Sequence, residues 1–267
     1  IKSNGSSAYI TRDIATAINR KKVYDFDKNL YVVATQQNLH FQQLFAILKL
    51  MGYDFYDDCK HIPFGMVSLK DQTLSTRKGQ VVFLEDVLNK AVDKTKEIME
   101  SRDSKIENVG EVAEIVGIGA VKFQELYNNR IKDYVFDWDE VLNFDGETGP
   151  YVQYTYARAK SVLRKADFKE NTEISFDNIT SDEEFALVKA LGNFKDVVAR
   201  AADKYEPSLI TRRLTEIAKN FNKFYNACQI NVEDEKIKEE RLALTYATSI
   251  VIKTGLGLLG IKTVEQM

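Results

Sequence analysis

Leu30-Tyr31-Val32-Val33-Ala34, followed by Thr35-Gln36-Gln37-Asn38-Leu39 and by a patterned run from His40 to Met51 that stops at Gly52, reads as one strand handing over to one helix. The run from Leu30 is rich in β-branched and aromatic side chains, which suit a pleated surface. After His40 the apolar residues recur at helical spacing, and a glycine closes the pattern. A strand followed by a helix is the repeating unit of an open α/β sheet. In such sheets ligands bind beyond the carboxyl ends of the strands, so the polar stretch Thr35 to Phe41 occupies an edge where a site is expected. His40 has two readings there, a ligand-side group or a packing residue at a helix start.

Upstream, Tyr9-Ile10-Thr11-Arg12-Asp13-Ile14-Ala15 sets Tyr9 and Asp13 four residues apart, on one face of a helix. A carboxylate beside a phenol suits a cation. A guanidinium fits best, because its forked, charge-assisted hydrogen bonds have a geometry that an ammonium lacks. An acid early in a helix also serves the helix dipole, so both readings stand. Downstream, Asp54 to Leu69 reads as loosely strand-like and leads to Leu74-Ser75-Thr76-Arg77-Lys78-Gly79, which starts ten residues after Phe64-Gly65-Met66. Its hydroxyls, cations and glycine can offer amides, a guanidinium and an ammonium to phosphate. The competing reading is a solvated turn.

The next segments, Phe83 to Ser101 and Glu107 to Asn128, read as helices, and Tyr134 to Pro150 as a connector. Near residue 150 the chain changes character, and from there an α-helical bundle is expected. Ser181 and Glu184 form a capping box, with Phe185, Val188, Leu191, Phe194 and Val198 as an apolar stripe at three- and four-residue steps. Pro207 suits the first turn of a helix whose core face is Ile210, Leu214, Ile217, Ala218, Phe221, Phe224, Tyr225 and Cys228. The stretch from Tyr151 to Lys165 contains three tyrosines, four cations and no acid. Phenol rings stack on splayed bases and cations pair with phosphates, so this mixture suits RNA; Tyr151 and Tyr154 also fit as amphipathic core residues.

With 267 residues, 44% hydrophobic and 29% charged, the chain is globular and has room for two domains. A net charge of -3 argues against a polybasic mode of partner binding while leaving room for local basic faces. Cys59 and Cys228 belong to no C-x-x-C pair, and two histidines cannot assemble an imidazole metal cluster, so no metal site is expected and a reducing cytosol fits. No apolar run of membrane-spanning length, signal peptide or lipidation motif is present. Gly255-Leu256-Gly257-Leu258-Leu259-Gly260 matches a dinucleotide fingerprint, but it ends a helical pattern and reads as a tight helix end. Asn4-Gly5-Ser6 and Asn178-Ile179-Thr180 read as chance glycosylation sequons.

These segments together resemble the arginyl-tRNA synthetase family of class I ligases over almost the whole chain. The resemblance is carried by Tyr9 to Ala15, Tyr24 to Lys28, Gln36 to Phe41, Phe64-Gly65-Met66-Val67 with Leu74 to Gly79, and Tyr134 to Trp138. It continues through Thr148 to Tyr154 with Ala157-Arg158, then through Glu206 to Cys228. It implies the α/β remainder of a Rossmann-type catalytic domain over 1–147, followed over 148–267 by an all-α anticodon-binding bundle of the DALR type. The implied activity is ATP-dependent attachment of L-arginine to its tRNA in the cytoplasm. ATP arrives with Mg2+ as substrate, and neither a tightly bound cofactor nor a membrane or DNA partner is involved. Tyr9, Asp13 and Gln37 look like the arginine side-chain pocket. His40, Phe64, Gly65, Met66 and Val67 look like nucleotide contacts, with Met66 and Val67 approaching adenine through their backbone. Ser75, Thr76, Arg77 and Lys78 look like the loop that stabilises the departing pyrophosphate. Tyr151, Gln153, Tyr154, Arg158 and Lys165 look like tRNA contacts.

The sequence departs from the family at several points. The loop reads Thr73-Leu74-Ser75-Thr76-Arg77 where K-M-S-K-S is usual, Asn4-Gly5-Ser6 stands for Asp-Gly-Thr, and Ala34 stands where glycine is common. Neither His40-Phe41 nor His61-Ile62-Pro63-Phe64 supplies the H-I-G-H element, which is expected before Ile1. The chain therefore reads as a fragment that does not form arginyl-adenylate by itself. The competing class is a non-catalytic RNA-binding module derived from a synthetase. That class accounts for the basic helix and leaves Tyr9, Asp13 and Gln37 unexplained.

Overall fold

The structure, a computed structural model, describes residues 3–70, 82–101, 108–170 and 174–267. The chain divides into two compact units, one of Ile1–Val67 with Arg130–Tyr134, the other of Ser68–Asn129 with Val135–Met267.

The first unit is α/β. Helix α1 (Tyr9–Tyr24) precedes strand β1 (Asn29–Ala34), and a 3-10 turn over Thr35–Gln37 leads into α2 (Asn38–Leu50). Gly52, at φ +80, ends α2; this left-handed position favours a residue without Cβ. After a 3-10 segment over Asp54–Asp58, strand β2 (Cys59–Phe64) pairs in parallel with β1, from Asn29 opposite Cys59 to Ala34 opposite Phe64. The strand-then-helix reading of Leu30 to Met51 is what the structure shows, and β2 returns the crossover beside β1. Alternation along β1 turns Tyr31 and Val33 inward and leaves Leu30 and Val32 exposed. The core holds Ala17, Phe41, Leu44, Leu48, Phe55 and Cys59. His61 is part of this packing: its ring stacks on Phe41 with centroids 4.4 Å apart, and its Nε2 lies 2.9 Å from Val33 O. Strands β3 (Val67–Leu69) and β4 (Tyr134–Phe136) form a separate two-stranded sheet.

The second unit is helical. It comprises α3 (Leu84–Ser101), α4 (Val109–Tyr127), the short α5 (Trp138–Val141), α6 (Gly149–Lys165), α7 (Asp182–Gly192), α8 (Phe194–Lys204), α9 (Ser208–Ala227) and α10 (Glu235–Leu258). Its core draws on Phe123, Val152, Leu187, Leu214, Ile217, Phe221, Phe224, Ile252 and Leu256. Close approach fixes three glycines. A Cβ on Gly117 would lie 2.8 Å from Ala91 O, one on Gly149 would lie 2.9 Å from Phe123 Cβ, and one on Gly255 would lie 2.6 Å from a Leu214 methyl. Gly255-Leu256-Gly257-Leu258-Leu259-Gly260 is indeed a helix end, with Gly260 at φ +68 and Ile261 N donating to Leu256 O.

The apolar stripe expected from Phe185 to Val198 is corrected by the structure. Gly192 and Asn193 divide it between α7 and α8, and Phe185 and Val188 are 57% and 42% exposed. The inward face instead carries Glu184, Leu187 and Ala190, then Val197 and Ala201. The reason lies in the capping box itself. Glu184 folds back to accept from Ser181 N and Thr180 N, both at 3.0 Å, and from Arg241 Nε at 2.7 Å. Holding that carboxylate inside turns the helix by one residue from the apolar reading. Tyr225, expected on the core face of α9, is also exposed. Asn178 is a packing group rather than an open sequon, since its Nδ2 donates to the buried Glu240 at 2.8 Å.

Candidate functional site

The α/β unit brings Tyr9 and Asp13 onto α1, Gln37 into the turn that closes β1, and His40 into the first turn of α2. Tyr9 and Gln37 are exposed. Asp13 Oδ2 lies 2.7 Å from His40 Nε2, with the two side chains 44% and 23% exposed. Asp13 Oδ1 has no hydrogen-bond or ion-pair partner among the described residues. A carboxylate held this way keeps acceptor sites on both oxygens for an incoming cation. The structure thus places His40 against the acid, across an interval of 27 residues in the chain. Nothing in the local sequence signals that partnership.

Phe64-Gly65-Met66-Val67 is strapped from behind by the segment that re-enters this unit at Arg130. Gly65 N donates to Arg130 O (2.8 Å), Arg130 Nη1 to Pro63 O (2.6 Å) and Tyr134 N to Met66 O (3.1 Å). Met66 N donates to Asp133 Oδ1 at 2.6 Å. Both backbone groups of Met66 carry a hydrogen bond within the unit, and its carbonyl keeps a second acceptor position. The exposed Met66 side chain and Val67 remain on that edge. Gly65 is obligatory in this arrangement, because a Cβ there would fall 2.4 Å from the Lys132 carbonyl carbon and oxygen. Ser75, Thr76, Arg77 and Lys78 lie outside the described residues.

In the helical unit, α6 starts at a Thr148 N-cap, whose Oγ1 accepts from Tyr151 N at 3.3 Å, with Pro150 in the first turn. One face of α6 opens on a cleft of about 460 Å³ lined by Tyr154, Arg158, Lys165, Tyr225 and the terminal Glu265 to Met267. Arg158 is its organising group. Its guanidinium carbon stands 4.7 Å from the Tyr154 ring centroid and 5.2 Å from that of Tyr225, and its Nη1 donates to Asn222 Oδ1 at 2.5 Å. Asn222 Nδ2 in turn donates to Tyr151 OH and Thr155 Oγ1, both at 3.0 Å. A guanidinium pinned between two rings and an amide loses little freedom when a base or phosphate arrives. Tyr156 lies behind this face; burial and its hydrogen bond to Glu265 push its hydroxyl up to about 12, so it stays a neutral donor that ties α6 to the terminal segment. At the other end of α6, burial and Glu147 push Tyr127 up to about 12, while Lys219 and Tyr127 hold Glu147 low.

Gln153 does not belong to this surface. It is 0% exposed, and its Nε2 donates to Lys262 O at 2.8 Å, so it braces the interior and cannot meet RNA. Tyr225, read from the sequence as a core residue, lines the cleft instead, and Asn222, which the sequence does not single out, holds Arg158. Asn222 falls between Phe221 and Phe224, where a helical pattern already expects a polar residue, so nothing local marks it out. Among the described residues, no group of three or more His, Cys, Asp or Glu is placed to hold a metal ion, and no helix is long and apolar enough to cross a membrane.

Comparison with known proteins also gives two parts, with a boundary later in the chain than that of the first compact unit, so that residues 68–129, which belong to the second unit, fall within the first family match. The family described as "tRNA synthetases class I (R), catalytic domain" matches residues 1–138, and the "DALR anticodon binding domain" matches residues 152–267. An arginine–tRNA ligase of Halothermothrix orenii is 60% identical over 266 residues, covering 100% of this chain and 47% of the relative. One from Clostridium botulinum is 55% identical over 267 residues, with the same coverage. The chain thus spans about half the length of the curated relatives it matches. Among solved structures, the Thermus thermophilus arginyl-tRNA synthetase aligns with a TM-score of 0.91 at 27% identity, covering 100% of this chain and 50% of that one. The Plasmodium falciparum arginyl-tRNA synthetase aligns with a TM-score of 0.84 at 25% identity, covering 100% and 46%.

Proposed function

Because the chain belongs to the class I arginyl-tRNA synthetases, we propose that the protein joins L-arginine to its tRNA, converting arginine, ATP and tRNA to arginyl-tRNA, AMP and diphosphate. The observation that carries this reading is the presence, in order on one chain, of an α/β unit with a poised acid and a helical unit with a guanidinium-centred cleft. Residues 1–147 serve the chemistry and 148–267 hold the anticodon region. Tyr9, Asp13 and Gln37 take the substrate guanidinium, Asp13 as charge partner and the other two fixing its plane. Phe64, Gly65 and Val67 border the adenine, and Asp133 and Arg130 hold that border in place. Ser75, Thr76, Arg77 and Lys78 neutralise the phosphates, and Mg2+ enters with ATP as part of the substrate.

No protein nucleophile is needed. The arginine carboxylate attacks the α-phosphorus, diphosphate leaves, and a terminal ribose hydroxyl of the tRNA then displaces AMP from the mixed anhydride. Catalysis comes from positioning and electrostatic stabilisation. Gly65→Ala is expected to raise the KM for ATP about tenfold, since its Cβ meets backbone that can yield only by shifting the whole strap. The KM for arginine should stay near its original value. Steady-state exchange kinetics measure both.

The RNA face is Tyr151, Tyr154, Arg158 and Lys165, with Asn222 and Tyr225 supporting it. Arg158→Ala removes a cation and frees two rings that it orders, so tRNA affinity should fall by about 1–3 kcal/mol and the dependence on salt should become shallower. Filter binding across a salt series tests this; an unchanged affinity and slope would remove Arg158 from the interface. The cytoplasm is the compartment in which such an enzyme meets its tRNA.

A further inference from the structure

We infer that His40 is a positioning residue of the arginine pocket, acting through Asp13, rather than a nucleotide contact. The inference rests on the proposed role of Asp13. Its ground is geometric. His40 Nε2 and Asp13 Oδ2 stand 2.7 Å apart, from two different helices of one compact unit. A carboxylate oxygen accepts, so the ring nitrogen is the donor. The ring is set against Phe41, 5.3 Å between centroids at 80°, and Phe41 is itself buried and stacked on His61. His40 therefore hangs from the core of the unit and points outward at the acid.

The consequence concerns the second oxygen. A free aspartate rotates about its last bond, and a forked guanidinium bond demands one plane. His40 occupies one acceptor position on Oδ2 and fixes that plane before substrate arrives, leaving room on both oxygens for the fork. Tyr9 precedes Asp13 by four residues on α1, and Gln37, in the turn that leads into α2, precedes His40 by three, so each member of the pair has one plane-setting residue close by in the chain. The ordering cost is met by the fold and not by the ligand, which appears as affinity. The pocket then selects for a planar, forked cation over a neutral isostere, because only the cation satisfies an acid that cannot turn away.

Protein made from the complete reading frame, assayed for arginine-dependent ATP–diphosphate exchange, tests the assignment. His40→Leu should raise the KM for arginine about tenfold to a hundredfold, with kcat within a few-fold and the KM for ATP unchanged. His40→Gln, which keeps a donor, should recover most of the loss. In the Asp13→Asn background His40→Leu should add little, since the group it orients is already changed. A rise in the KM for ATP would make His40 a nucleotide contact and overturn the inference. So would an arginine KM that is unchanged, an arginine KM that falls, as for a placeholder expelled by substrate, or additivity in the double variant. Absence of any arginine dependence in the unsubstituted protein would instead strike the proposed function itself.

Discussion

Asp13→Asn is expected to lower kcat/KM for arginine about a hundredfold or more while leaving the KM for ATP and the thermal midpoint close to their original values. The amide keeps the shape of the side chain but withdraws the charge, and it turns one N–H toward a ligand that has only N–H groups to offer. Removing one partner from a hydrogen-bonded charge pair costs about 2–5 kcal/mol at a desolvated site. Asp13 is 44% exposed before substrate enters, so the lower half of that range applies until arginine covers it. Because the pair that Asp13 makes with His40 lies part-exposed at the surface of the unit, folding should not register the change. Discrimination should collapse as well. With the acid gone, a neutral ureido analogue of arginine loses its main handicap, and the ratio of the two specificity constants should fall in step. A drop in kcat/KM that spares this ratio would place the guanidinium elsewhere.

Glu184→Ala should destabilise the helical unit by about 3–5 kcal/mol. Glu184 is 1% exposed and accepts two backbone N–H bonds and the Arg241 guanidinium. Truncation leaves Arg241, whose side chain is only 17% exposed, without its carboxylate. It also strands the amides of Thr180 and Ser181 at the start of α7. Burial by itself would raise the Glu184 carboxyl, but Ser181 N, Arg241 and Thr180 N outweigh it and hold the group below its ordinary value of 4.5. A carboxyl lowered in the folded state contributes stability that is fully present above the unfolded value and is lost as pH falls through the folded one. Glu184→Gln should therefore flatten the stability profile below about pH 4.5 and cost most near neutrality. Trp138, the single tryptophan, lies in the helical unit, so its fluorescence in urea titrations follows the relevant transition.

Local pattern carried much of the fold into the sequence. Leu30 to Met51 announced a strand and a helix because β-branching, periodicity and a terminal glycine agree there. Ser181 with Glu184 announced a helix start for the same kind of reason. What the sequence left hidden depends on polar groups whose partners are distant. Glu184 looks like a capping residue, and only Arg241, 57 residues later, explains why it lies inside and rotates α7. Gln153 sits among tyrosines and cations and reads as a surface group, yet it bonds a carbonyl 109 residues away.

The candidate site divides along the same line. Tyr9 and Asp13 were visible as a helical pair, and the basic-aromatic character of Tyr151 to Lys165 was visible as composition. His40 was read from its neighbours at a strand end, whereas its partner is on α1. Met66 was read as a backbone contact, and nothing near it in the chain signals that Asp133, 67 residues on, takes its N–H. Asn222 links Tyr151, Thr155 and Arg158 through one amide, a role that no spacing rule assigns to an asparagine.

The central claim is that this chain belongs to an enzyme that activates arginine. Its most direct test is ATP–diphosphate exchange by protein from the complete reading frame, with tRNA present and each of the common amino acids supplied in turn. The account predicts exchange with arginine alone, abolished or nearly so by Asp13→Asn. Exchange that follows another amino acid, or that proceeds at full rate in Asp13→Asn, would contradict it.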